Sequence, residues 1–266
     1  MPIFTLIKRD LRMRLYYGRN QIITQIVFFL IITIFFILAF ELNDLSTRAE
    51  WISIERFWNG FSEVDLEIFK QSGTFQIPYL WLIFQLLYFL SLRTFFTIDL
   101  TGSSGFIIIR TGTRRFVISK VISLFLYTTL YILLFLLFIF FVSLMQFLLF
   151  HVSLSFISNW KISIIFCLFF ILTLFLEALF FEAASLFLGE IIAFIAIFSF
   201  NFLSIFSKSA FLVSNYTMFS RWNEATVFRE NWFFILIWVC ILILFLFAIE
   251  LFVVNKIDFI NEKGEK

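Results

Sequence analysis

Glycine, proline, histidine and cysteine are all rare in this chain, and each shortage removes a class of protein from consideration. Eight glycines and two prolines among 266 residues, set against 45 phenylalanines and a 62% hydrophobic share, lie far outside the balance of a soluble globular domain. The two cysteines, Cys167 and Cys240, both fall inside apolar runs, which leaves neither a disulfide framework nor a metal site of Cys/His spacing. The lone histidine, His151, has no His-Glu-x-x-His helix and no nucleophile motif beside it, so neither a metalloprotease site nor a Ser/His/Asp arrangement is recognisable. A Gly-x-x-x-x-Gly-Lys-Ser/Thr loop is missing too, and the chain does not hold a nucleotide in the familiar way. A net charge of +2 is too small to mark a nucleic-acid binder.

Abundant instead are long apolar runs. A bilayer core needs about 20 apolar residues per helix, and six stretches meet or approach that length: Gln21–Phe40, Ile77–Leu92, Val121–Phe150, Ile162–Phe187, Ile191–Phe206 and Trp232–Val254. The expected fold is therefore all-α, one polytopic membrane domain over residues 1–266 with six transmembrane helices. Pro78 fits the first turn of the second helix, where a missing N–H costs nothing, and Gly189 fits a helix stop between the fourth and fifth. A turn near Ala183–Ala184 is the other reading of that junction.

Lysine and arginine positions set the orientation. Lys8, Arg9, Arg12, Arg14 and Arg19 precede the first run, and Arg110, Arg114, Arg115 and Lys120 follow the second, so both segments are expected on the cytoplasmic side. The loop at 41–76 is acidic, with Glu41, Asp44, Glu50, Glu55, Glu63, Asp65 and Glu67, and belongs outside, as do His151–Lys161 and Ser207–Asn231. Six crossings then place both termini in the cytoplasm. Ahead of the first run, Ile3, Ile7, Leu11 and Leu15 recur every four residues among cations, which is the spacing of an interfacial amphipathic helix over 1–20. A basic tail that only fixes orientation fits the same charges.

Between the second and third runs stands "SSGFIIIRTGTRRFVISK", Ser103–Lys120. Its short apolar core Phe106–Ile109, the interruption Thr111-Gly112-Thr113 and the cations Arg114 and Arg115 read as a short helix lying across the membrane surface, within a cytoplasmic segment at 101–120. An ordinary basic loop is the plainer alternative. Three carboxylates are also out of place. Glu177 and Glu182 lie inside the fourth run and Glu190 at its end, with no Lys or Arg between Lys161 and Lys208 to pair with them locally. A carboxylate facing lipid is costly, so these side chains must face protein, water or the interface, or carry a proton.

The segment "FTLIKRDLRMRL" before the first run, the six-run layout, and "IIIRTGTRRFVISK" between runs two and three together resemble ABC transporter permeases of the type-2 export class. The stretch "SNYTMFSRWN", Ser214–Asn223, is similar to the segment before the last span in small Firmicute-type permeases of peptide or lantibiotic export and immunity, although the proline often found just upstream is absent. The resemblance implies that residues Phe106, Ile107, Ile108, Ile109, Arg110, Thr111, Gly112, Arg114 and Arg115 form a coupling helix docked on a separate nucleotide-binding ATPase. It implies a transport subunit that is not itself an enzyme. ATP-Mg would sit on the partner and no cofactor on this chain. The remaining partners would be a second permease copy or a related permease, the lipid bilayer of the plasma membrane, and a hydrophobic or amphipathic peptide to export or confer immunity against. Glu177 and Glu182 are then candidates for the translocation path. Two other classes compete: an intramembrane protease or acyltransferase using Glu177, Glu182 or His151, and a proton-coupled secondary transporter with the glutamates as relays.

Overall fold

The structure, a computed structural model, describes residues 2–41, 58–73, 78–101, 108, 111–150, 160–207, 209, 211–223 and 230–256. Every regular element among them is a helix: α1 (Ile3–Glu41), α2 (Glu63–Ser72), α3 (Tyr79–Thr101), α4 (Thr113–Phe150), α5 (Trp160–Leu188), α6 (Glu190–Ile205), a 3-10 helix (Val213–Thr217), α7 (Phe219–Asn223) and α8 (Trp232–Lys256). Three are long and apolar enough to cross a membrane, over Thr113–Val142, Ile162–Leu188 and Trp232–Val254, while Tyr79–Leu92 and Glu190–Ile205 are shorter apolar helices. The chain is an all-α membrane protein by the length and composition of these helices.

The amphipathic segment and the first apolar run form one helix. No proline interrupts Ile3–Glu41, and 39 residues extend for about 58 Å, well beyond a hydrocarbon layer of about 30 Å. The inward face of its first half is the one that carries polar groups. Leu6, Asp10, Arg14 and Gly18 point into the bundle, while Ile3 and Leu15 are exposed. In a membrane the outward face can be as apolar as lipid, and polar groups are the ones that need protein partners.

Matched contacts fix the helix directions. Asp10 meets Ser119, Arg14 meets Ser123 and the Gly18 backbone meets the Tyr127 hydroxyl, so α1 and α4 advance together, side by side and parallel. A Cβ on Gly18 would lie 2.9 Å from Tyr127 Oη, and the glycine is what admits this approach. α3 runs the other way: Tyr88 bonds Thr128 at 2.6 Å, whereas Ser91 accepts from Tyr127. α5 is the central helix, with 61% of its apolar window buried against 11% for α8. Its Phe166 and Phe170 join Phe84 of α3, Phe135 of α4 and Trp58 in an aromatic core.

The junctions are set by glycines. Gly189 has φ +80 and separates α5 from α6, with its N–H on Ser185 O at 3.1 Å; α5 continues past Ala183–Ala184. Pro78 stands just before α3, its carbonyl accepting from Leu82 N–H at 3.0 Å. Within the acidic 41–76 loop, α2 begins with a reciprocal capping box between Ser62 and Asp65 and ends on Gly73 in the left-handed region, which satisfies donors at one end and carbonyls at the other.

Gly60 is the most constrained glycine among the described residues. Its φ is +72, and a Cβ there would lie 2.4 Å from Met218 Cγ and 2.6 Å from Met218 Cβ. Gly60→Ala should therefore cost about 2–4 kcal/mol of stability from left-handed strain and overpacking together. A denaturant titration of the detergent-solubilised chain checks this, and Met218→Ala in the same chain should relieve the Cγ contact but not the one at Cβ, so that most of the loss remains. An unchanged midpoint would show that residues 58–61 and Met218 are not held together.

Candidate functional site

Two buried polar sites stand out among the described residues, each with a glutamate of α5. The first draws ionisable groups from four helices. Asp10 and Arg14 are one turn apart on α1, and so are Ser119 and Ser123 on α4, so each pair shares a helix face. Arg14 Nη1 donates to Glu182 Oε1 of α5 at 2.6 Å and Arg14 Nε to Ser123 Oγ at 3.2 Å. Ser119 Oγ donates to Asp10 Oδ2 at 2.6 Å, Lys120 Nζ lies 3.9 Å from Asp10 Oδ1, and Arg9 is ion-paired with the same carboxylate. Glu250 of α8 is buried at the margin of this cluster, within electrostatic range of Glu182, Arg14 and Lys120, and its Oε1 has no hydrogen-bond partner among the described residues.

The pairing crosses the chain. α1 supplies an acid to a lysine of α4 and an arginine to a glutamate of α5. Such a set holds together only if every member is present, because removing one leaves an uncompensated buried charge. Glu182 is a candidate from sequence with no cation near it in the chain; its partner is 168 positions away. Asp10, Lys120 and Glu250 are the residues that sequence reasoning misses as site members. A lone carboxyl in the apolar run around Glu250 is the available signal.

The second site lies toward the other end of α5. Glu177 is buried and accepts from Ser214 Oγ at 2.5 Å. Ser214 belongs to the stretch expected as an outer loop, yet residues 213–222 are buried throughout. Their polar atoms are met from inside the bundle. Trp81 Nε1 and Gln85 Nε2 donate to Thr217 Oγ1 at 2.9 and 3.1 Å, and Asn215 Nδ2 donates to the carbonyls of Ser207 and Ser209. Trp222 Nε1 donates to Tyr216 O, and Arg221 Nη2 to Ile205 O. Phe219 and Ser220 give their backbone N–H groups to Trp58 O and Asn59 O at 2.8 and 3.0 Å. The 3-10 helix and α7 thus form a polar cap seated in the bundle end, next to Trp58–Phe61. The two candidate path residues do not share a site: Glu182 belongs to the ionic cluster and Glu177 to the cap.

The predicted coupling segment is described at Ile108, Thr111, Gly112, Arg114 and Arg115; Phe106, Ile107, Ile109 and Arg110 lie outside the described residues, as does His151. Gly112 N–H donates to Ile108 O at 2.8 Å, closing a helical turn, and Gly112 O accepts from Phe116 N–H at 3.2 Å, opening α4. With φ +81 at Gly112, the chain changes direction between the two. Thr111 is buried and Arg114 and Arg115 are exposed. Lys120, expected to close this segment, instead points inward to Asp10. No family model, curated protein or solved structure matches the chain.

Proposed function

We propose that the chain is the membrane-spanning subunit of an ATP-driven exporter of the type-2 ABC class, with six spans, both termini in the cytoplasm and a separate ATPase docked beneath it. Its setting is the plasma membrane, its transport partner a second copy or a related permease, and its substrate a hydrophobic or amphipathic peptide. The observation that carries the reading is the joint at Gly112. A helical turn ends there in a left-handed glycine and α4 begins at once with two exposed arginines, which suits a short docking element mechanically continuous with a long apolar helix. The ionic cluster supports it, since it binds the basic start of α1 to α4 and α5.

Among the described residues no heavy atom lies within 4 Å of a Cβ built on Gly112, so substitutions there test the backbone. Gly112→Val should disfavour the joint by about 1–2 kcal/mol, and Gly112→Asn, which tolerates the left-handed region, by less. Affinity purification of the full chain from its native membranes in mild detergent should bring ATP hydrolysis with it. Gly112→Val should reduce the co-purified activity about tenfold at unchanged membrane levels, and Arg114→Glu/Arg115→Glu should abolish it. Hydrolysis that is absent from the wild type, or indifferent to all these changes, would remove the coupling assignment.

A further inference from the structure

We propose that the outward face of α1 binds anionic phospholipid, with the phosphodiester headgroup on Lys8, Arg12 and Arg19 and the acyl chains along the apolar stripe that continues toward Leu30. At about 100° per residue, Phe4, Lys8, Arg12, Leu15, Tyr16 and Arg19 fall within about a third of the helix circumference, and all six are exposed. Phe4 and Tyr16 are 75% and 68% exposed, so aromatic surface stands between the cations. Further along the same side are Ile23, Val27 and Leu30, also exposed. One helix face thus changes from cationic to apolar along its length, which is the polarity of a lipid molecule and not that of a soluble anion.

The chain does not neutralise these cations itself. Asp10 is the single acid among the first 40 residues; it is buried on the inward side and taken by Ser119, Lys120 and Arg9. Lys8, Arg12 and Arg19 meet no carboxylate among the described residues. Their depth suits a headgroup. Arg14 pairs with Glu182, which lies about 9 Å along the axis from the end of α5 at Leu188, and Lys8 and Arg12 are on the N-terminal side of Arg14, toward that same end of the bundle. Helical side chains lean toward the N-terminus, so Arg19, deeper along α1, carries its guanidinium back toward the other two on an apolar stem. Cations at this depth attract anionic headgroups over a Debye length, so the face selects lipids by charge and does so less at high salt.

Spin-labelled lipids test this on the purified full chain reconstituted in phosphatidylcholine, without any ATPase, so the outcome is independent of the transport reading. The motionally restricted fraction should show phosphatidylglycerol associating about fivefold more tightly than phosphatidylcholine, the effect of one well-placed cation, with the ratio falling at high salt. Lys8→Gln/Arg12→Gln/Arg19→Gln should lose most of that preference, and the charge-keeping Lys8→Arg/Arg12→Lys/Arg19→Lys should retain it. Should the glutamine triple variant fail to insert, a lowered ratio in Lys8→Gln and in Arg12→Gln singly decides the matter. A wild type without preference, or a preference that survives the glutamine substitutions, would overturn the proposal. Displacement of the lipid by soluble glycerol phosphate would overturn it too, by making the face a simple anion site. So would disulfide linkage specific to Tyr16→Cys chains in the bilayer, which would place a second copy on this face.

Discussion

Truncation of Glu182 to alanine should destabilise the folded chain by about 3–5 kcal/mol, the range expected when one partner of a buried ion pair is removed and the other stays behind. Arg14 is 1% exposed, and without Glu182 its guanidinium would keep the Ser123 hydroxyl as a hydrogen-bond acceptor but lose the 2.6 Å carboxylate. No rotation within a packed four-helix contact returns that charge to water cheaply. Replacing both members by apolar residues of similar volume, Arg14→Met with Glu182→Leu, should restore most of the loss, because the pair's attraction is largely offset by its own desolvation. Unfolding midpoints of wild type, Arg14→Met, Glu182→Leu and the double variant in one detergent, compared at constant m-value, form a double-mutant cycle. A single-mutant loss below about 0.5 kcal/mol would place Arg14 in contact with water and dissolve the cluster as a structural unit.

What can be read in the sequence follows from which forces are local. The apolar runs announce α3, α4, α5, α6 and α8, because length and composition alone decide whether a segment suits hydrocarbon. Gly112 and Gly189 are legible as breaks, since a left-handed residue is a local requirement that glycine meets best. The partner of Glu182 is not legible: nothing in the spacing around it points to Arg14, 168 positions away. The Ile3, Ile7, Leu11 and Leu15 stripe marks an amphipathic helix, but its periodicity does not say which groups Asp10 and Arg14, facing in while Ile3 and Leu15 are exposed, will meet. The burial of Ser214–Asn223 is not legible from its polar composition. Only the assembled bundle supplies its partners, with Trp81 and Gln85 donating to Thr217 and the Ile205 carbonyl accepting from Arg221.

Trp58→Ala should have an effect of similar size to the loss of Glu182, about 3–5 kcal/mol, but confined to the cap end of the bundle. The indole is fully buried, with ring centroids 5.6 Å from Phe84, 4.7 Å from Phe170 and 6.1 Å from Phe166, so it wedges between α3 and α5. Its own carbonyl and that of Asn59 accept from the Phe219 and Ser220 backbone N–H groups, and the same turn passes through Gly60 against Met218. Removing the ring leaves a cavity that the flanking phenylalanines can only partly fill, and the turn loses its anchor. The cap should then open far more often than the helices beneath it. Amide hydrogen exchange at Phe219 and Ser220 should accelerate about a hundredfold, the equivalent of some 3 kcal/mol of local opening, while amides in the middle of α5 keep their wild-type rates. Trp58→Phe, which refills most of the space, should fall between the two. If exchange rose equally in α5 and in the cap, Trp58 would be part of the global core and the cap would not be a separable element. If it did not rise at all, the hydrogen bonds to Trp58 and Asn59 would not be what holds residues 213–223 in place.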